Sequence, residues 1–294
     1  MAITEEKLKK WSYPPSNTEK EKCDNAISMI KKAISHSEEL RNHNIRFIPK
    51  GSYYNNTNVR VSSDVDISVV ITDSFFAQYP HNKKNTDFNN SSSKFTFEEF
   101  YNILKTTLLN YFGEKNVVIG DKSIKISSNT YRIDADVVPC FEHRRYSNDG
   151  SYIVGTEFIS SYSKKHIKNF PEQHFENSKY KNLKTSKRYK KIVRIFKKTR
   201  NEMIEDGHNL DNISSFLIES LVWNAPDCLF NNVFLKEDIE KILIYLIEQT
   251  SIKKNCEEWG EVSELLYLFR DFRKFTLSDV QIYLQKAYKY IFED

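Results

Sequence analysis

The sequence predicts an α+β chain with a sheet in its first half and helices in its second. Two observations predict it. Short runs rich in β-branched residues, at 61–71, 117–119, 124–126 and 131–138, all lie in the first half. Beyond Lys187 the apolar residues recur at helical spacing nearly to the end of the chain. At 294 residues there is enough chain to bury a large core, as one big domain or two lobes.

Taken in order, Ser16-Asn17-Thr18-Glu19 matches a capping box, and Cys23, Ala26, Ile27, Ile30, Ala33 and Ile34 follow at helical spacing. An amphipathic helix is expected there, packed on the sheet and running to about Arg41. Ile45 to Pro49 reads as a short strand leading into a Gly51-Ser52 turn. The strand of 61–71 then ends at Thr72-Asp73-Ser74, and the polar stretch from Thr72 to Lys94, with a turn signal at Tyr79-Pro80-His81-Asn82, reads as a surface loop.

Phe97, Phe100, Tyr101, Leu104, Leu108 and Phe112 predict a helix over 95–112 that Gly113 closes. Val117-Val118-Ile119, Ile124-Lys125-Ile126 and the segment around Asp134 and Asp136 read as successive strands. Pro139 lacks an N–H donor and is expected to stop the last of them. The aromatic and basic run Phe141-Glu142-His143-Arg144-Arg145-Tyr146 has a composition that stacks bases and holds phosphate, and it reads equally as a strand end with snorkelling arginines. Asn148-Asp149-Gly150 marks a hairpin turn.

Lys164 to Arg200 is the most basic part of the chain, with eight Lys or Arg between Lys187 and Arg200. Tyr189, Ile192, Val193, Phe196 and Met203 share one helical face, so the charges are expected on a solvated one. Ile213–Trp223, Lys236–Gln249, Val262–Phe272 and Leu277–Ile291 are further amphipathic helices by the same spacing. No internal repeat is evident.

The chemistry sits between residues 51 and 136. On a strand, side chains alternate faces, so Asp64 and Asp66 project together while Val65 and Ile67 project oppositely. Two adjacent carboxylates repel each other unless a cation lies between them. In Tyr131-Arg132-Ile133-Asp134-Ala135-Asp136-Val137-Val138-Pro139 the acids again alternate with apolar residues, and one of them can complete a three-carboxylate cage if this strand runs beside the first. Alternation alone does not choose between Asp134 and Asp136. Such a cage suits Mg²⁺, a hard cation that prefers oxygen ligands and is usually shared with substrate phosphates. Two ions roughly 3.5–4 Å apart would activate an attacking hydroxyl and stabilise a leaving pyrophosphate. A lone Gly-Ser is ordinarily a turn, and a lone Asp-x-Asp a solvated strand edge; it is their combination with a second acid-bearing strand that points to catalysis.

The Gly51-Ser52 turn, Thr57, Arg60, the Asp64-x-Asp66 pair and the Asp-Val-Val-Pro segment together resemble the cGAS/DncV-like nucleotidyltransferases, bacterial cyclic-oligonucleotide synthases of anti-phage defence. Their wider relatives are the oligoadenylate synthases and the DNA polymerase β superfamily. The resemblance implies a polymerase-β-like sheet lobe over 1–160 with a bridging N-terminal helix, a helical oligoadenylate-synthase-like lobe over 161–294, and an active site in the cleft between them. It assigns Gly51 and Ser52 to the donor triphosphate, Asp64 and Asp66 to both Mg²⁺ ions (with Mn²⁺ as the alternative), and the third metal position to Asp136 rather than Asp134. Lys197, with Lys181 as its rival, is the carried-over triphosphate contact. The implied substrates are NTPs, ATP and/or UTP among them, and a downstream effector would read the cyclic product. Base choice would rest on one or two cleft side chains, Asn177 being a candidate. The same acids would also serve a linear oligonucleotide synthase or a transferase acting on RNA or protein. A nucleotide- or RNA-binding module without turnover is the reading from a different class.

Composition narrows the rest. The chain is 29% charged and 39% hydrophobic with a net charge of +4, a globular balance that excludes a histone-like polycation. No stable nucleic-acid partner is evident. Cys23, Cys140, Cys228 and Cys256 are widely spaced and form no Cys-x-x-Cys, which reads as incidental thiols in a reducing compartment. With no run of some twenty apolar residues and no leader-like start, a cytoplasmic protein with no membrane partner is expected.

Overall fold

In a computed structural model, residues 2–14, 17–59, 64–270 and 273–293 are described, with the side chains of 17–19 excepted. The expected capping box at Ser16–Glu19, and Arg60 to Ser63 with the start of the expected strand, fall outside the described residues. Two compact units emerge. One comprises Ser16–Tyr53 and Val61–Pro171; the other comprises Met1–Pro15, Tyr54–Arg60 and Glu172–Asp294. In chain order, the polar-capped helix α1 (Glu5–Ser12) opens the second unit and α2 (Asn17–Ser35) the first.

The sheet unit holds β1 (Ile45–Lys50), the single turn α3 beginning at Gly51 (Gly51–Tyr54), β2 (Val65–Gln78), α4 (Phe97–Phe112), β3 (Val117–Ile119), β4 (Ile124–Ile126), β5 (Ala135–Tyr146), β6 (Tyr152–Ile159) and β7 (His166–Asn169). Strand order is β1-β2-β5-β4-β3, with β6 pairing β5 and β7 pairing β6. Only β2 and β5 run parallel among these pairs. Val65, Ile67, Val69 and Ile71 on β2, with Ala135 and Val137 on β5, are fully buried on one face, in a core that also holds Ile30 of α2 and Phe100, Leu104 and Leu108 of α4; past Asp66 and Asp136 the other face is buried too, at Ser68, Val70, Val138 and Cys140. The predicted helix over 95–112 forms from Phe97, its start fixed by a reciprocal Thr96–Glu99 capping box, and Gly113 follows at φ +83°. The N-terminal helix stops at Ser35, with a separate 3₁₀ turn at Leu40–Asn42 instead of one run to Arg41.

Two strand ends differ from expectation. β2 does not stop at Thr72 but continues to Gln78. Its ladder with β5 breaks after Ile71↔Phe141 and resumes at Phe75↔Glu142, so Thr72-Asp73-Ser74 are the extra residues of a bulge. Their polarity serves that bulge, since Asp73 accepts from His43 Nδ1 at 3.0 Å and from the Asn44 N–H at 3.3 Å. Nor does Pro139 stop β5, which runs through it to Tyr146. The Val65 N–H donates to the Asp134 carbonyl, so by alternation Asp136 and Val138 also turn their backbone groups toward β2 and Pro139 turns away. On that side β4 pairs only as far as Val137 and β6 begins at Phe141, so the missing donor falls in a gap between partners.

The aromatic and basic run at 141–146 is the far end of β5, and its side chains are taken up by packing. Arg144 lies 3.8 Å from the Phe75 ring centroid and pairs with Glu142 at 2.7 Å, and Tyr146 stacks on Tyr79 at 5.4 Å. The hairpin expected at Asn148-Asp149-Gly150 joins β5 to β6.

The helical unit contains α5 (Pro171–Lys184, from Glu172), α6 (Tyr189–Glu205), α7 (Ser215–Trp223), α8 (Leu235–Ser251), the short α9 (Lys253–Cys256) and α10 (Leu277–Phe292). Its core gathers Leu8 and Trp11 of α1 with Tyr189, Ile192, Val193, Phe196 and Met203, the predicted face of α6. The expected helix over 262–272 is absent from the described part of that stretch. The chain instead doubles back, the Leu268 N–H donating to the Trp259 carbonyl and the Glu261 N–H to the Leu266 carbonyl. Side-chain amides compete for the backbone here: Asn177 donates to the Val262 carbonyl and Asn224 to that of Gly260.

Candidate active site

Register builds the site. Lys50 on β1 lies opposite Asp66 on β2, Asp66 opposite Asp136 on β5, and Asp136 opposite Lys125 on β4. Directly opposed residues share a face with Cβ atoms about 5 Å apart. Four charges therefore stand in one row across the sheet, two lysines flanking two carboxylates, on the face opposite the apolar core. Neither lysine was singled out in the sequence. The signal for Lys125 was its alternation between Ile124 and Ile126; for Lys50 it was adjacency to Gly51.

Gly51 has φ +74°, and a Cβ there would lie 2.0 Å from Asp66 Oδ2. Glycine is needed twice over, for the backbone conformation and for the carboxylate against it. Ser52 follows, partly exposed, in the same turn. Asp66 and the glycine turn are thus brought together.

Burial pushes the Asp66 carboxyl up to about 6; Lys50 opposes this, and the charges of Asp136 and Asp64 reinforce it. Asp136 is likewise raised by burial and then by Asp64, against a hydrogen bond from Ser123 Oγ at 3.3 Å. Asp64 accepts from Lys125 Nζ at 3.0 Å, and the same ammonium reaches Asp134 Oδ2 at 3.1 Å. Asp134 precedes the strand and also accepts from the Ser128 N–H; that bond and Lys125 outweigh partial burial and leave it below the usual carboxylate range. The two alternating acids therefore have different surroundings: Asp136 joins the row and Asp134 holds a backbone donor and a lysine.

Hard carboxylate oxygens, two of them adjacent and mutually repelling in a half-buried place, suit a divalent cation. Among the described residues no three His, Cys, Asp or Glu side chains are drawn together tightly enough to hold an ion as they stand. Asp64 is turned onto Lys125 instead.

Lys181 and Lys197 lie in the helical unit and are committed to protein partners. Lys197, 1% exposed, donates to Glu219 Oε2 at 3.1 Å, Thr57 Oγ1 at 3.0 Å and the Thr57 carbonyl at 3.2 Å. Thr57 Oγ1 and His174 Nε2 also bond Glu219, at 2.8 and 3.0 Å. Burial would raise the Glu219 carboxyl, but Lys197 and these bonds overrule it and hold it well below the usual range. Lys181 donates to Asp227 Oδ1 and to the Ala225 carbonyl, both at 2.7 Å. The α6 face expected to be solvated therefore buries Lys190, Arg194 and Lys197. Asn177, the base-choice candidate, is held by the Val262 carbonyl at 2.9 Å.

A mixed sheet whose parallel central pair presents adjoining aspartates beside a glycine turn, with a separate all-helical unit, defines a nucleotidyltransferase of the polymerase β type. Known proteins agree. Residues 176–292 match the cGAS/DncV-like nucleotidyltransferase C-terminal helical domain. The cyclic dipyrimidine nucleotide synthase CdnE of Cecembia lonarensis is 42% identical over 96% of each chain. Of solved structures, Rhodothermus marinus CdnE c-UMP-AMP synthase with Apcpp and Upnpp superposes with a TM-score of 0.87 at 26% identity, over 98% of this chain and 96% of that one. Elizabethkingia meningoseptica CdnE cyclic dinucleotide synthase with GTP and Apcpp gives 0.83 at 34% identity, over 98% and 99%. The chain belongs to the cGAS/DncV-like nucleotidyltransferases. It is a nucleotidyltransferase of the kind that makes cyclic oligonucleotides, in a family that normally uses divalent metal ions. No helix among the described residues is long and apolar enough to cross a membrane.

Proposed function

We propose that this chain joins two NTPs into a cyclic dinucleotide, with Asp64, Asp66 and Asp136 holding two Mg²⁺ ions and Gly51 and Ser52 positioning the donor triphosphate. The observation that carries the reading is the direct pairing of Asp66 with Asp136 across β2 and β5, beside Gly51. When bound, such ions supply Lewis acidity to the acceptor hydroxyl and neutralise charge building on the leaving pyrophosphate. The protein's own share is orientation: the sheet fixes the carboxylates, and Gly51 lets backbone approach them without a side chain between. No protein nucleophile is required. A 3′- or 2′-hydroxyl of one nucleotide attacks the α-phosphorus of the other, pyrophosphate leaves, and the second such transfer closes the ring.

Relatives support a reading of the bases. The Cecembia protein's name, which specifies two pyrimidines, and the Upnpp in the Rhodothermus structure support UTP as one substrate; the second is then another pyrimidine by the first relative or ATP by the Apcpp of the other. Lys181 and Lys197 would reach a triphosphate only by leaving Asp227 and Glu219. The reading implies cytoplasmic synthesis, a downstream effector that reads the product, and a role in anti-phage defence. Its test is incubation with Mg²⁺ and all four labelled NTPs, each then omitted in turn, followed by phosphatase. A phosphatase-resistant product that vanishes when UTP is left out is expected, and the omission of ATP or CTP identifies the second base. Only phosphatase-sensitive products would replace it with linear synthesis.

A further inference from the structure

We infer that Lys125 is a built-in stand-in cation, which occupies Asp64 when no divalent ion is bound and is retained by Asp134 when one enters. The inference rests on the ion-binding part of the proposed function and goes beyond it. Lys125 Nζ lies between two carboxylates, 3.0 Å from Asp64 and 3.1 Å from Asp134, and makes no choice between them. Its position is fixed by β4, opposite Asp136, so it cannot drift away from the row. Pairing with Asp64 and then Asp134 holds the amine charged well above the ordinary lysine range. A permanently cationic group on a prospective metal ligand competes with the metal directly.

The competition is weak enough to be reversible. The pair is about two-fifths exposed on each side, 39% and 37%, where ion pairs contribute little. Asp134 is what makes displacement easy. It is pinned by the Ser128 N–H, stands outside the row, and keeps one partner for the ammonium after Asp64 is taken. Alternation placed two acids on one face, and the structure gives them opposite tasks: Asp136 faces the incoming ion and Asp134 draws the lysine off.

Opposite signs make this testable without turnover. Mn²⁺ binding to the full chain, with no nucleotide present, is followed by electron paramagnetic resonance at pH 7.5. Lys125→Met is expected to bind Mn²⁺ about five-fold more tightly, and Asp134→Asn about two- to five-fold more weakly, the scale of one partly exposed ion pair. Exposed Lys122→Met, which removes a nearby charge that touches none of the acids, controls for net charge. Lys125→Gln repeats the measurement with a polar side chain should the Met variant fold poorly. Adding Asp64→Asn to Lys125→Met is expected to abolish the gain. Affinity in either Lys125 variant no higher than in Lys122→Met, or Asp134→Asn binding as well as the unchanged chain, overturns the stand-in while leaving the synthase reading intact. An unchanged chain that binds no Mn²⁺ without nucleotide but binds it with an unreactive NTP analogue also overturns the stand-in alone, and one that binds it under neither condition overturns the proposed ion site as well.

Discussion

Gly51 and Asp66 leave no room between them: any β-carbon at residue 51 would overlap the Oδ2 of residue 66. Gly51→Ala must therefore move the carboxylate or the turn, in a backbone region that alanine also resists. Nucleotidyl transfer is expected to fall on the order of 10²-fold, the size seen when a preorganised charge-stabilising group is lost. Pyrophosphate release reads this out. Full activity in Gly51→Ala would show that the close approach has no catalytic meaning.

Asp66 makes the metal-free protein sensitive to pH. Its carboxyl is raised from 3.8 to about 6, so the folded state holds a proton that the unfolded chain releases. Stability from this group is full below pH 4 and declines as pH rises through 6. Asp66→Asn is accordingly expected to stabilise the metal-free protein at pH 7.5, by about 1–3 kcal/mol, and to leave it little changed at pH 4. Urea titrations in chelator at the two pH values measure it; equal stability at both would contradict the burial-driven shift.

The acids can be ranked. Asp64→Asn, Asp66→Asn and Asp136→Asn are each expected to lower turnover on the order of 10²–10³-fold without unfolding. Asp134→Asn, which keeps its oxygen for Ser128, is expected to stay within about ten-fold. Single-turnover assays at saturating Mg²⁺ compare them. A collapse in Asp134→Asn with a mild Asp136→Asn would exchange their roles.

In the helical unit, Lys197→Met strands Glu219 as a buried charge and is expected to destabilise the chain by about 3–5 kcal/mol. Lys197→Met with Glu219→Leu removes both charges and is expected to recover much of that loss. Denaturant midpoints test the stability. If the stability-restored double variant still binds NTP normally, Lys197 is an internal support and not a triphosphate contact.

Much of this was legible in the residues. Alternation put Val65 and Ile67 on the buried face of β2, where both are fully buried, and the choice of Asp136 over Asp134 came from the resemblance, since spacing offered none. What escaped were features that depend on a neighbouring strand. Thr72-Asp73-Ser74 read as a strand end because a bulge is polar like a loop, and Pro139 read as a terminator because nothing local reveals a gap beside it. The resemblance assigns Lys197 to a triphosphate, and its actual partners, Thr57 and Glu219, lie too far off in sequence for spacing to reveal them. The stretch from Val262 has helical spacing, yet Asn177 claims the carbonyl of its first residue and Asn224 that of Gly260 just before it.

The parallel pairing of β2 with β5 also sets a timetable. Asp66 and Asp136 are about seventy residues apart in the chain and become neighbours only when those strands join. A nascent chain still on the ribosome with its first hundred or so residues exposed carries Asp64 and Asp66 but lacks their companion. With Asp136 in its proposed role, synthesis would wait until translation has passed β5, and a product ending before residue 136 would be silent.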